Sequence, residues 1–193
     1  QNASLFEERE RRIVELAALN EMSQAISSAL ELEDLLEVVY QQVSHIFDTS
    51  SFYIATYEFG SEEWNLAFAL ELGERVPATQ YEVGAGLTGY IIHSGRAVLL
   101  KSLQEYVEFH QENGIAHVGE RAKSWLGVPL AAADEVVGVM AVQSYAQEHL
   151  YGEPELAIFT TIAAQVAVAI RNASLYRQIV NFSSELEEKV EAR

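Results

Sequence analysis

The stretch SWLGVPLAAADEVVGVMAVQS, from Ser124 to Ser144, constrains the fold more than any other part of this chain. It reads as two strands joined by a polar turn. Trp125, Leu126, Val128 and Leu130 lie on the first strand, and Val136, Val137, Val139, Met140 and Val142 on the second. Ala132, Ala133, Asp134 and Glu135 carry the chain round between them. Neither strand alternates cleanly between apolar and polar residues, so both faces of the sheet should be covered. Helices can cover one face. Whatever covers the other is the natural place for a function.

The rest of the chain supplies helices at both ends. An apolar stripe at Ile13, Leu16, Leu19, Met22 and Ile26 predicts a helix over 4–28, and Leu35, Leu36, Val39, Val43 and Phe47 predict a second over 32–47. Glu31, Glu33 and Asp34 favour the start of that second helix through its dipole. Phe52 to Phe59 and Trp64 to Leu72 read as a hairpin around Gly60, Ser61 and Glu62, with a further strand at Gln80 to Val83. GAGLTGYIIHSGRAVLL (84–100) then turns tightly at its glycines into a short helix, Leu87 to His93, and a brief strand, Ala97 to Leu100. Residues 101–123 form a long polar connection with a helix near Leu103 to Gln111, a reasonable lid over a pocket.

After the central hairpin, Pro154 opens a long helix with a broad apolar face at Leu156, Phe159, Ile162, Ala163, Val166, Ala169 and Ile170. Past Asn172 the pattern narrows to Leu175, Ile179, Phe182 and Leu186, a coiled-coil seam that predicts a homodimer through the terminal helices. Asn2-Ala3-Ser4-Leu5-Phe6 returns as Asn172-Ala173-Ser174-Leu175-Tyr176, so residues 1–6 read as the tail of a preceding, similar module. The opening residue is Gln, which also fits a piece of something longer.

Charge and composition exclude several functions. A formal charge of -17, from 29 acidic against 12 basic residues, repels a phosphate backbone or an anionic membrane, so neither nucleic acid nor direct membrane contact is expected. The cysteine count of 0 removes disulfides, thiolate metal sites and a cysteine nucleophile. No apolar run approaches the ~20 residues of a membrane span, and no signal peptide opens the chain, which together read as cytoplasmic. His45, His93, His110, His117 and His149 form no tight metal pattern, and no serine sits in G-x-S-x-G, so no enzymatic activity is expected. The G-x-G-x-x-G spacing of Gly84, Gly86 and Gly89 lacks the strand–helix–strand context of a dinucleotide site and reads as a structural turn.

Four words in order resemble the GAF domain family: GAGLTGYIIHSGRAV (84–98), SWLGVPL (124–130), GVMAVQS (138–144) and IAAQVAVAIRNASLY (162–176). The resemblance covers residues 20–176, leaving 1–19 as a linker or leading helix and 177–193 as an outgoing coiled-coil signalling helix. It implies an α+β fold, PAS-like in plan, with a central antiparallel sheet, the terminal helices on one face and a ligand pocket under a lid on the other. It also implies a non-catalytic sensory module that feeds an output domain such as a histidine kinase or cyclase. The alternatives are a ligand-free dimerisation scaffold, or a haem-based sensor using His110 and His117. Departures are Lys101-Ser102 where relatives often have Asp, and Glu155 for an early Asp in the last helix. The N-K-(n)-F-x-x-x-D-E signature of cyclic-nucleotide-binding members is absent.

By analogy with the family, the ligand-facing side falls on Phe52, Ile54, Thr56, Leu70, Glu71, Leu87, Thr88, Ala141 and Gln143. Strand parity groups 52 with 54 and 56, and 141 with 143. Tyr106, Phe109 and His110 of the lid and Trp125 of the central hairpin join them, although aromatic residues of this kind are more often plain core. The set is mostly apolar, which predicts a small, largely neutral ligand and no triphosphate. No cofactor is named by any motif.

Overall fold

The structure, a computed structural model, describes residues 32–191. The helix expected over 4–28 and the repeated word at 2–6 lie outside the described residues. Within them the elements run α1 (Leu32–Ser44), β1 (Phe52–Tyr57), β2 (Glu63–Glu71), β3 (Glu74–Arg75), β4 (Thr79–Glu82), α2 (Gly86–Ser94), β5 (Val98–Leu100), α3 (Leu103–Glu112), β6 (Ser124–Ala132), β7 (Glu135–Ser144) and α4 (Glu153–Glu191). The strands form one 7-stranded sheet in the order β3-β2-β1-β7-β6-β5, with β4 also pairing with β2. Every pairing is antiparallel.

The β6–β7 hairpin is the middle of the sheet, as its pattern required. Its turn places Ala133 at φ 49° and Asp134 at φ 66°. Two successive positive φ values are the geometry whose twist matches the flanking strands. Both faces of the hairpin are covered. On one, Leu126, Val128, Leu130, Met140 and Val142 join Leu35, Val39, Phe159, Ile162 and Val166 from α1 and α4 in a single core. On the other, Trp125, Val139 and Ala141 join Leu87, Ile91 and Tyr106 from α2 and α3.

A β-bulge decides how β2 presents its side chains. Ile54 faces Phe68, but Ala55 faces Leu66, so Ala67 is the extra residue. A bulge shifts side-chain parity by one. Trp64 and Leu66 before it, and Ala69 and Glu71 after it, therefore share the α2–α3 face.

One segment departs from the sequence reading. Glu153–Tyr176 of α4 has a window of mean hydropathy 1.5 and is long and apolar enough, by length and composition, to cross a membrane. Its apolar face is explained by the sheet: Phe159, Ala163 and Val166 are 0 % exposed against β6 and β7. Arg171 fastens the same helix to the hairpin turn, donating from Nη1 to Glu135 Oε2 at 2.8 Å and to the Ala132 carbonyl at 3.3 Å.

Candidate functional site

On the sheet face away from α1 and α4, a cavity of about 200 Å³ lies between β1, β2 and β4, the start of α2, the helix α3 and the loop after it. Its floor follows from cross-strand register. Tyr53 faces both Ala69 and Ala141, and Trp125 faces Gln143, so these side chains share one surface. Gly127 makes room beside them. A Cβ there would stand 2.2 Å from the Trp125 ring, so the indole lies flat only because residue 127 has no side chain.

The first turn of α2 forms one end. Gly84 to Gly86 bring the chain round closely enough that a Cβ at Gly89 would stand 2.1 Å from the Val83 carbonyl oxygen. Ala85, before the helix, offers no side-chain cap. Ala85, Gly86, Leu87 and Thr88 all border the cavity, and Thr88 is fixed by a 2.9 Å hydrogen bond between its hydroxyl and that of Tyr53. Burial raises the Tyr53 pKa well above the ordinary phenol value, partly offset by that bond, so the phenol stays protonated.

The helix α3 forms the roof. Ser102 caps it by accepting from Glu105 N at 3.2 Å, while Glu105 Oε2 accepts from Lys101 N at 2.7 Å. This is the S-x-x-E logic of a helix start, displaced by one residue. The cap points Tyr106 and His110 inward at 5 % and 8 % exposure. The His110 ring donates from Nδ1 to the Tyr106 carbonyl at 2.8 Å, since a carbonyl can only accept. Its Nε2 is therefore a bare acceptor in the neutral ring, and it is buried without a partner. Burial lowers the His110 pKa against the raising pull of that bond, and nearby His117 and Arg121 lower it further. Burial likewise pushes the Tyr106 phenol up to about 12. Its hydroxyl reaches His117 Nδ1 at 3.3 Å.

A polar rim closes the side. Gln143 Nε2 donates to the Tyr145 hydroxyl at 2.7 Å, and that hydroxyl donates to Glu71 Oε1 at 3.0 Å. Burial, and then the neighbouring Glu71 charge, raise the Tyr145 pKa above the ordinary phenol value. Across the cavity Trp64 stacks on Tyr81 with ring centroids 4.5 Å apart, and its Nε1–H is a second buried polar group with no partner. Among the described residues no group of ≥ 3 His, Asp or Glu side chains could hold a metal ion.

Leu70, Glu71, Leu87, Thr88, Tyr106, His110, Trp125 and Gln143 thus border this cavity. Others do not. Phe52 and Ile54 face the opposite way, in the core beneath α1 and α4, so the expected facing of β1 is inverted. The reason is register: Phe52 faces Val142, not Ala141, and cross-strand partners share a face. Thr56 follows the same parity and borders a separate open groove of about 630 Å³ beside Ile170 and Leu175 of α4. Ala141 lies on the pocket side but is packed away at 0 % exposure. Phe109 packs edge-on against Tyr90, with centroids 5.1 Å apart, and does not border the cavity. Tyr53, Trp64, Tyr81 and Tyr145 also border the cavity, outside the set expected from the sequence.

The profile of the family described as GAF domain matches residues 29–171. The chain belongs to the GAF domain family. It is 24% identical over 160 residues to nitrogen fixation protein AnfA of Azotobacter vinelandii, covering 82% of this chain and 30% of that protein. It is 26% identical over 179 residues to a Nif-specific regulatory protein of Herbaspirillum seropedicae, covering 91% of this chain and 32% of that protein. The chain therefore spans about a third of the length of these curated relatives. Among solved structures it resembles the GAF domain of an Acinetobacter phosphoenolpyruvate-protein phosphotransferase. The TM-score there is 0.65 at 22% identity, over 86% of this chain and 98% of that one. The α+β GAF fold, with an antiparallel sheet of seven strands and four helices among the described residues, is the one the sequence words implied.

Proposed function

We propose that this GAF domain is a non-catalytic sensory module: a small molecule occupies the cavity under α3, and its presence is passed through α4 to an output domain. The observation that carries the reading is the cavity of about 200 Å³ itself, lined by aromatic rings of the sheet together with Thr88, Gln143 and Glu71, a concave and mostly apolar site with a few placed polar groups. The name of the Herbaspirillum seropedicae relative, a Nif-specific regulatory protein, supports a regulatory output. It carries nothing for a histidine kinase or cyclase in particular. A cavity of about 200 Å³ is little larger than one of ~150 Å³ that holds benzene, which argues against a haem and for a compact ligand.

Transmission has a physical route. The two cores share the β6–β7 hairpin, so a ligand that repositions Trp125 or Gln143 also strains the strands on which α4 packs. Beyond that packing, α4 continues to Glu191. Its exposed Val168 and Leu175, 52% and 47% accessible, lie seven apart on one face and suit a second copy of the chain. The homodimer thereby becomes the carrier of the signal.

Native mass spectrometry of the purified domain, followed by thermal shift with a metabolite collection, tests the ligand reading. A ligand at 100 times its Kd should add about 2.7 kcal/mol to stability. Ala69→Phe, which fills the cavity floor, should abolish the shift. A domain to which nothing binds by either method would overturn the sensory reading.

A further inference from the structure

We propose that the open groove beside α4 is the docking site of this chain's own segment ahead of α1, residues 13–31, which ties that segment directly to the helix that leaves the domain. The groove, about 630 Å³, lies on the α1 and α4 side of the sheet, apart from the cavity under α3. Its occupation does not depend on a ligand in that cavity.

The groove is an uncovered continuation of the main core. Phe52, Ile54 and Thr56 share one face of β1. Phe52 and Ile54 are 0 % exposed beneath α1 and α4. Thr56 and its neighbour Val137, near the β6–β7 turn, carry the same face past the start of α1 and are only half-buried. Beside them Phe59 and Leu175 line the groove at 74% and 47% exposure. Large apolar side chains gathered along an open groove mark a surface that something covers.

Chain continuity selects the occupant. Leu32, the first described residue, itself borders the groove, so the chain enters α1 from the groove's edge and needs no linker to fill it. The segment ahead of it is chemically suited. Ile13, Leu16, Leu19, Met22 and Ile26 recur at helical spacing, and an amphipathic helix packs such a stripe against a surface. The nine residues MSQAISSAL (22–30) hold no charge, in a chain of formal charge -17. Among the described residues bordering the groove Arg171 is the one base, and Glu135 already holds it, while Glu58 adds a negative charge. An acidic partner finds no base there, whereas an uncharged segment meets no repulsion. Val168 does not border the groove, so a second copy seated there leaves room for this contact.

The test uses the whole chain, whose cysteine count of 0 makes any introduced pair unambiguous. Met22→Cys is combined with Ser174→Cys or Gln178→Cys, exposed positions in the groove, or with Ile46→Cys, an exposed position beyond the far end of α1. Ile46 lies about 20 Å from Leu32 along the helix, within the reach of an undocked Met22 ten residues ahead of Leu32 at about 3.5 Å per residue. Mild oxidation should close a disulfide within one chain at a groove position about tenfold faster, or more, than at Ile46, the advantage of a docked segment. Maleimide labelling of Ser174→Cys alone should quicken about tenfold or more when Met22→Asp and Ile26→Asp are added, since charges replace two buried aliphatic side chains. Equal oxidation rates at the groove and at Ile46 overturn the proposal, as does a labelling rate that ignores both aspartates. A disulfide between two chains also overturns it and gives the groove to a segment of a second copy.

Discussion

The Tyr53 hydroxyl and the Thr88 hydroxyl lie 2.9 Å apart, and this one bond ties a central strand of the sheet to the first turn of the helix that ends the cavity. Thr88 is 5 % exposed, so its hydroxyl has little water to turn to if Tyr53 is truncated. Tyr53→Phe should therefore cost about 1–3 kcal/mol, the penalty of one buried polar group left alone. Urea unfolding would show it as a lower midpoint at unchanged m-value. Amide exchange should also quicken across Gly86 to Ile91. A midpoint equal to that of the parent would show that the bond holds nothing.

Gly127 is the position where an added methyl should be felt most directly in the cavity. Its Cβ would stand 2.2 Å from the Trp125 ring, far inside contact distance. Gly127→Ala should force the indole off the sheet at a cost of about 1–3 kcal/mol, typical of overpacking. Because the chain holds only 2 tryptophans, fluorescence of the variant on a Trp64→Phe background would report Trp125 alone. An unshifted emission maximum would refute the contact.

The order of elements was legible because each carried its own local signal. Gly60, now at φ 84°, marked the first hairpin, and Ala133-Asp134 marked the second. The apolar stripe of α4 marked its buried face. The facing of β1 was not legible. Phe52, Tyr53, Ile54 and Ala55 are apolar or aromatic on both sides, and no alternation says which side meets the helices. Only the pairing of Phe52 with Val142 settles it. Trp64 was hidden for a related reason: the bulge at Ala67 reverses the parity of β2, and nothing in the strand's sequence announces a bulge. Tyr81 and Tyr145 reach the cavity from a short strand and a strand end, where periodicity has too few residues to speak. The lid was visible as a long polar connection, and its inward residues Tyr106 and His110 follow helical spacing.

His110 gives the domain a pH dependence with a definite sign. Burial holds its pKa below the ordinary 6.5 in the folded state, despite the bond to the Tyr106 carbonyl, while the unfolded chain titrates normally. Above that ordinary value both states are neutral at this residue and it contributes no slope. As pH falls below it, the unfolded chain takes up a proton that the folded one resists, so stability declines until the folded pKa is reached. The slope in that window has a ceiling of about 1.4 kcal/mol per pH unit, the value for one full proton. His110→Gln should flatten this part of the profile measured by urea unfolding between neutral and mildly acidic pH. Parallel curves for parent and variant would contradict the assignment.

The final prediction concerns how a signal leaves the domain. Past Asn172 the helix α4 runs on to Glu191, and ~20 residues of helix extend about 30 Å. Such a length of largely polar helix is marginal alone in water, so the sequence seam Leu175, Ile179, Phe182 and Leu186 needs a partner surface. Val168 and Leu175 continue that seam back onto the body of the domain, where they stand 52% and 47% exposed. A second copy related by a two-fold axis can cover both stretches at once. The domain should therefore sediment as a monomer–dimer equilibrium that shifts with concentration. Val168→Glu with Leu175→Glu should move it to monomer while leaving the urea midpoint within about 0.5 kcal/mol of the parent, as expected of exposed positions. A mass distribution that ignores both substitutions would remove α4 as the dimer contact and, with it, the proposed path of the signal.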